Sequence, residues 1–254
     1  MRCCKYVIAL LLSCCIFQAQ ANEIRIAAAA NLRYVLPELV ERFQDLTGDQ
    51  VSVTYAASGT LTTQILHGAP FELFLSANSD YIQRLVKAAL TEGKVINYAQ
   101  AQLALFSSHQ SKLVLDDSLD CLKVALEHGN LKKVAIANPR HAPYGQAAEK
   151  VLRNAGIWKQ IQPHLLIAEN ASQVAQFSLS TAADAGFVPY AHVIQPQLSS
   201  LGRFIKLDAV LQQQAVLLRG ASQQARHFLT FIQTIDVIDI FTKHGFIVSA
   251  EVKK

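Results

Sequence analysis

"EIRIAAAANLRYVLPELVERFQDLTGDQVSVTYAA", residues 23 to 57, is the stretch from which the rest of the chain can be read. Its first run is apolar and then shrinks to four alanines, Ala27 to Ala30, before Asn31. A helical pattern follows and stops at Gly48, a residue suited to the left-handed turn that closes a helix. From Val51 a β-rich run sets in, and it too dwindles, to Ala56-Ala57, ahead of Ser58 and Gly59. Strand, helix, strand is the unit of a parallel α/β sheet. Twice within it, bulk disappears at the point where a strand hands over to a helix.

The alternation continues along the chain. "TLTTQILHG" reads as a short helix closed by Gly68, "FELFLSA" as a strand, and Ser79 as the cap of the helix "DYIQRLVKAAL". A second set starts near "AQLALFSS", residues 101 to 108, and runs through "KKVAIAN", "PYGQAAEKVLRNAG", "PHLLIAEN", "ASQVAQFSLSTAA" and "DAGFVPYAHV". After Pro196 a polar connection leads to "AVLLRG" and to a helical pair, "SQQARHFLTFIQTIDVIDIFTKHGF", with no strand after it, so that pair is expected to pack on something already built. The expected architecture is α/β in two lobes, residues 22–100 with 197–254 and residues 101–196, each a mostly parallel sheet flanked by helices. A ligand cleft is expected between them, at the carboxyl ends of the strands.

Residues 1–21, "MRCCKYVIALLLSCCIFQAQA", carry Arg2 and Lys5, an apolar core and the tripeptide Ala19-Gln20-Ala21. That is the pattern of a secretory signal peptide cleaved after Ala21, which predicts an exported, periplasmic protein. Leu11-Leu12-Ser13-Cys14 loosely resembles a lipoprotein processing site, so a lipid-anchored form is the alternative. Cleavage removes four of the five cysteines and leaves Cys121, which excludes an internal disulfide and a cysteine metal site. Cys121 reads as a packed thiol on a helix. Losing Arg2 and Lys5 lowers the formal charge from +4 to +2. Such a balance lacks the concentrated basic face that nucleic acid requires.

The informative positions are the four strand-to-helix junctions: Ala30-Asn31, Ala57-Ser58-Gly59, Asn138 to Gly145, and Glu169 to Ser172. A helix start exposes unpaired N–H groups and carries about half a positive charge, which suits an anion. Small side chains would let such a ligand reach the backbone. A doubly charged anion in a buried site would lose hydration worth roughly tens of kcal/mol and so must be surrounded by donors. The plainer alternative is that Asn31 and Ser58 simply cap their helices. Pro37 bears on this, because it suits a helix beginning at Leu36 or Pro37 and would leave Asn31 in a turn before it.

Four blocks in register resemble the periplasmic molybdate-binding proteins, the solute receptors of molybdate and tungstate ABC importers: residues 27 to 78, "ANPRHAPYGQAAEKVLRNAGIW", "AENASQVAQFSLSTAADAGFV", and the closing "VLLRGASQQARHFLTFIQ" with "FTKHGF". The resemblance implies a two-lobed, type II-like periplasmic-binding-protein fold that closes on a tetrahedral oxyanion through neutral hydrogen bonds. It implies no cofactor, molybdate or tungstate as ligand, a membrane ABC permease as partner, and a monomer. Matched position by position, it implies ligand contacts from the Ala30 or Asn31 amide and Asn31, from Ser58, from Tyr144, and from the Ala171 amide. Some relatives use a tyrosine after the strand "AGFVPYA"; here the matching place is Pro189, so Tyr190 is the second choice to Tyr144.

Arg33, Arg140 and His141 lie near the junctions, where they either draw anions to the cleft mouth or are simply solvated. The chain lacks Gly-x-Ser-x-Gly, Gly-x-x-x-x-Gly-Lys-Ser/Thr, His-Glu-x-x-His and Gly-x-Gly-x-x-Gly, and no enzyme is expected. The alternatives are a receptor for sulfate, phosphate or another small anion and, further off, a hydrolytic enzyme.

Overall fold

The computed structural model describes residues 23–248, so the leader segment lies outside the described residues. In chain order the first set is β1 (Ile24–Ala29), a 3-10 turn (Ala30–Leu32), α1 (Leu36–Thr47), β2 (Val51–Ala56), α2 (Ser58–Leu66), β3 (Leu73–Ser76) and α3 (Ser79–Lys87). The long β4 (Thr91–Ser108) leads to α4 (Asp120–Glu127), β5 (Val134–Ala137), α5 (Pro143–Asn154), α6 (Trp158–Ile161), β6 (Leu165–Ala168), α7 (Ala171–Leu179) and β7 (Ala185–Pro189). The short helices α8 (Tyr190–Val193) and α9 (Pro196–Ser199) precede the second long strand, β8 (Gly202–Leu218), and α10 (Gln223–Phe231) and α11 (Ile235–Lys243) close the described chain.

Local chemistry sets the bounds. Pro37 stands in the first turn of α1, where its missing N–H costs nothing, and Gly48 ends that helix at φ +75°. β1 is buried on both faces except at Arg25, which is why it reads as continuous apolar sequence rather than alternation. One expectation is corrected: the cap of α3 is Asn78, whose side chain accepts from the Asp80 N–H at 2.7 Å, and Ser79 is the first helical residue.

All eight strands form one sheet, in the order β2-β1-β3-β8-β4-β7-β5-β6. Within each set the neighbours are parallel, β2/β1/β3 on one side and β7/β5/β6 on the other. The join is antiparallel: β3 with β8, β8 with β4, β4 with β7. β3 lies beside the end of β8, pairing Leu73 with Leu217 and Ser76 with Gln214. β7 lies beside the later part of β4, pairing Phe106 with Gly186 and Leu103 with Pro189. The two parallel sets therefore run in opposite directions from opposite ends of the β4–β8 pair. Their carboxyl ends both aim at its middle, where register shifts fall between Asn97 and Ala99 and between Gln102 and Ala104. Such irregularities bend and twist a strand pair.

The two long strands were only partly legible. β4 begins at Thr91, ten residues ahead of the expected strand, and the expected polar connection after Pro196 is mostly β8. Polar residues persist there because the pair is laced by amides: Gln214 Nε2 donates to Asn97 Oδ1 at 2.8 Å, and Gln100 Nε2 to Gln212 Oε1 at 3.3 Å. The expected division at residues 100/101 falls inside β4. The closing helices do pack on earlier elements, α10 against β8 and β1 and α11 against α1, with Phe228 meeting Phe43 ring to ring at 5.0 Å. Cys121, in the first turn of α4, is half-buried; burial and the Asp116 carboxylate push its thiol up to about 12, so it stays protonated at neutral pH.

Candidate functional site

Where the two sets of strand ends meet lies a small cavity lined by seven alanines, a proline, Asn31, Ser58 and Tyr144. All five residues singled out from the sequence line it: Ala30 and Asn31 from the turn after β1, Ser58 at the start of α2, Tyr144 at the start of α5, and Ala171 at the start of α7. Ala77, after β3, joins them without having been singled out. A water-sized sphere can move its centre through about 10 Å³ of it. That is far below the roughly 300–1,000 Å³ of pockets that take organic ligands, and is about the room of one water molecule. Among the described residues no charged one lines it.

The alanines answer the question their sequence raises. At Ala29, Ala30, Ala56, Ala57, Ala77, Ala142 and Ala171 a larger side chain would fill the space between converging backbones. Two glycines carry the same logic further. A Cβ on Gly145 would collide with the carbonyl of Ala137, in the strand just before its own helix. A Cβ on Gly59 would come within 2.7 Å of the His141 carbonyl oxygen, which belongs to the opposite set of elements.

Neither Asn31 nor Ser58 caps a helix, so the plainer alternative does not hold. Asn31 sits inside the 3-10 turn, and α2 is preceded by Ala57 with no side-chain cap. The Ser58 hydroxyl instead accepts from the Ala77 N–H at 3.1 Å. Its own hydrogen has no acceptor among the described residues. Asn31 Nδ2 donates to Gln213 Oε1 at 2.9 Å, and Gln213 Nε2 donates to the Leu211 carbonyl at 3.0 Å, which fixes the direction of both amides. Asn31 Oδ1 is left without a partner. Gln213, fully buried on β8, is a residue the sequence reading missed, because it stands in a run of three glutamines that looks solvated.

Tyr144 is buried and its hydroxyl has no hydrogen bond; the Asn31 amide is close, without bonding geometry. Burial pushes its pKa well above the usual phenol range, so it is a neutral donor. Another buried and unpartnered hydroxyl, Tyr98 on β4, is close enough to interact with it electrostatically. At α7, Asn170 accepts from the N–H groups of Ser172 and Gln173 at 3.0 and 3.2 Å. Ala171 N–H, one residue earlier, is at the helix start and has no intrahelical acceptor.

The two sets also touch around the cavity. Gly59 N–H donates to the His141 carbonyl at 2.8 Å, and Asn78 Nδ2 to Gln146 Oε1 at 3.2 Å. Gln146 in turn donates to the Tyr81 hydroxyl at 3.2 Å. Of the cations near the junctions, Arg33 stacks 5.1 Å from the Tyr55 ring centre, and the His141 ring lies between Thr60 at 3.4 Å and Glu169 at 3.9 Å. Arg140 contributes its backbone N–H to Asn138. None of the three lines the cavity. Nor does Tyr190, whose ring packs near Phe204 with the Lys206 ammonium above it.

This is an arrangement for holding negative charge with dipoles alone: three helix starts and a 3-10 turn, with one free hydroxyl on each side. Among the described residues no group of three His, Cys, Asp or Glu side chains could hold a metal ion.

The family model described as bacterial extracellular solute-binding protein matches residues 24–247. The molybdate-binding protein ModA of Rhodobacter capsulatus is 34% identical over 233 residues, covering 90% of each chain. The solved periplasmic molybdate-binding protein of Azotobacter vinelandii superposes with a TM-score of 0.80 at 27% identity, over 89% of this chain and 99% of that one. The sulfate-binding protein SubI of Mycobacterium tuberculosis shares the fold, with a TM-score of 0.76 at 15% identity over 91% of this chain and 88% of that one.

Proposed function

The chain belongs to the bacterial extracellular solute-binding protein family, and from that premise we propose that it captures molybdate or tungstate in the periplasm and delivers it to a membrane ABC permease. The ligand-binding residues in this reading are Ala30, Asn31, Ser58, Tyr144 and Ala171. The protein acts as a monomer, performs no chemistry on its ligand and needs no cofactor. Its two lobes, residues 22–100 with 197–254 and residues 101–196, close about the middle of β4 and β8, each bringing half of the donors.

The observation that carries the reading is the uncharged, alanine-walled cavity on which a hydroxyl from each side converges: Ser58, which accepts from Ala77 and has its own hydrogen left to donate, and Tyr144, which has no partner. A dianion brought there exchanges water for N–H and O–H groups that are already oriented. Bonds of this charged kind are each worth about 1.5–3 kcal/mol. The open state offers the donors of one side at a time, so the anion favours closure by satisfying both at once. The size of the cavity argues against sugars, amino acids and organic acids. The names of the more similar relatives argue for molybdate over sulfate.

The test is a thermal melt of the mature protein with molybdate, tungstate, sulfate, phosphate and chromate. A ligand present at a thousandfold its dissociation constant adds about 4 kcal/mol to stability. Molybdate and tungstate are expected to raise the melting temperature and phosphate not to. No shift with either would refute the reading.

A further inference from the structure

The turn Ala30–Leu32 is held from the opposite side of the cavity by two donors that the ligand itself need not touch. Ser172 Oγ donates to the Ala30 carbonyl at 3.1 Å. His192 Nε2 lies 3.2 Å from the Asn31 carbonyl. A carbonyl oxygen can only accept, so the Nε2 nitrogen carries the ring hydrogen. Ser172 follows Ala171 in the first turn of α7, and His192 sits in α8, directly after β7; both elements belong to the second set, whereas the turn belongs to the first.

His192 is fully buried, and its ring and the Tyr34 ring meet edge to face at 83° and 4.9 Å between centres. Its Nδ1 has no partner, so the single N–H of the neutral ring is devoted to Asn31. Burial pushes its pKa down to about 4, opposed by the turn carbonyls it faces, first that of Asn31, and reinforced by Arg33, and the ring is neutral at physiological pH. The carbonyl of Ala30 and the N–H of Asn31 belong to one planar peptide unit and point opposite ways. A donor fixed on that carbonyl therefore fixes the direction of the N–H. The Asn31 carbonyl does the same for the N–H of Leu32.

We propose that Ser172 and His192 are positioning residues: they fasten the Ala30–Asn31 turn to α7 and α8 on closure, orient its N–H groups for the oxyanion, and stabilise the closed state by contacts independent of the ligand. The proposal rests on the oxyanion-receptor reading and assigns two residues that the ligand contacts do not include. It explains why a serine stands next to Ala171, and why a histidine is buried with one nitrogen unmatched.

The test compares Ser172→Ala with Ser172→Thr, and His192→Phe with His192→Gln, which retains a donor amide. Molybdate affinity is measured by calorimetry, dissociation by stopped flow, and melting without ligand in parallel. Loss of one such hydrogen bond is expected to weaken binding roughly two- to tenfold, mainly through faster dissociation, with Thr and Gln restoring it. Melting of the ligand-free protein is expected to change little. Wild-type affinity in both Ser172→Ala and His192→Phe would overturn the proposal while leaving the receptor reading intact. A loss that Thr and Gln fail to restore, and that follows a drop in ligand-free melting, would overturn it too, by reducing both residues to packing. If His192→Phe does not fold, the Ser172 pair decides. A wild-type protein that binds no molybdate would remove the receptor reading and this proposal together.

Discussion

Replacing Tyr144 by Phe should move binding and stability in different directions. The Tyr144 hydroxyl is buried beside the Asn31 amide and has no hydrogen bond. Removing it from the protein without ligand breaks nothing. A buried hydroxyl left unpaired costs about 1–3 kcal/mol, so the Phe variant should be as stable as the parent or more so, by at most this amount. For a chain of this size 1 kcal/mol corresponds to roughly 2–4 °C in melting temperature. With molybdate bound, the same hydroxyl donates to a charged oxygen, a bond worth about 1.5–3 kcal/mol, so affinity should fall roughly ten- to 150-fold. Titration calorimetry and a melt on the same preparation read both quantities. An affinity within about twofold of wild type would remove Tyr144 from the binding set. A clear drop in ligand-free melting would show that the hydroxyl has a partner in the free protein, and the reasoning would fail at that step.

Two glycines should separate folding from closure. Gly145→Ala drives a Cβ into the Ala137 backbone within one set of elements, so it should destabilise the free protein by about 1–3 kcal/mol or more, the cost of an overpacked core site. Gly59→Ala meets the His141 carbonyl across the cavity at 2.7 Å and the Tyr81 ring of its own set at 2.8 Å; a ring can tilt away where a backbone carbonyl cannot, so the variant should oppose closure and weaken molybdate binding with a smaller effect on ligand-free melting, and equal melting losses in the two variants would contradict this. Acid should act through His192. Its pKa is depressed from about 6.5 to about 4, so the stability it contributes is complete above about pH 6.5 and is lost as pH falls towards 4. The loss amounts to about 3 kcal/mol at most. Melting of the molybdate-loaded protein across that window should show it, and His192→Gln should flatten it; an unchanged acid limb in the variant would assign the loss elsewhere.

Sequence alone determined the elements whose causes are local. Apolar runs with abrupt ends gave β1, β2, β5 and β6, and Pro37 and Gly48 fixed the two ends of α1 because a proline and a left-handed glycine each act within one turn. It also singled out the junctions, because alanines where a strand ends are conspicuous. Asn31 and Ser58 read equally as helix caps, and the pattern could not choose, since a cap and a ligand donor are the same residue type in the same place. Tertiary structure ruled out the caps: Asn31 is turned to Gln213 on a strand 182 residues away, and Ser58 to the N–H of Ala77. Tertiary structure also decided the reach of β4 and β8, whose glutamines and asparagine look solvated until they face each other across the pair. Their antiparallel pairing aims two sets of strand ends at one point. Convergence of this kind depends on which strands pair, and pairing between residues a hundred positions apart leaves no local mark on the chain.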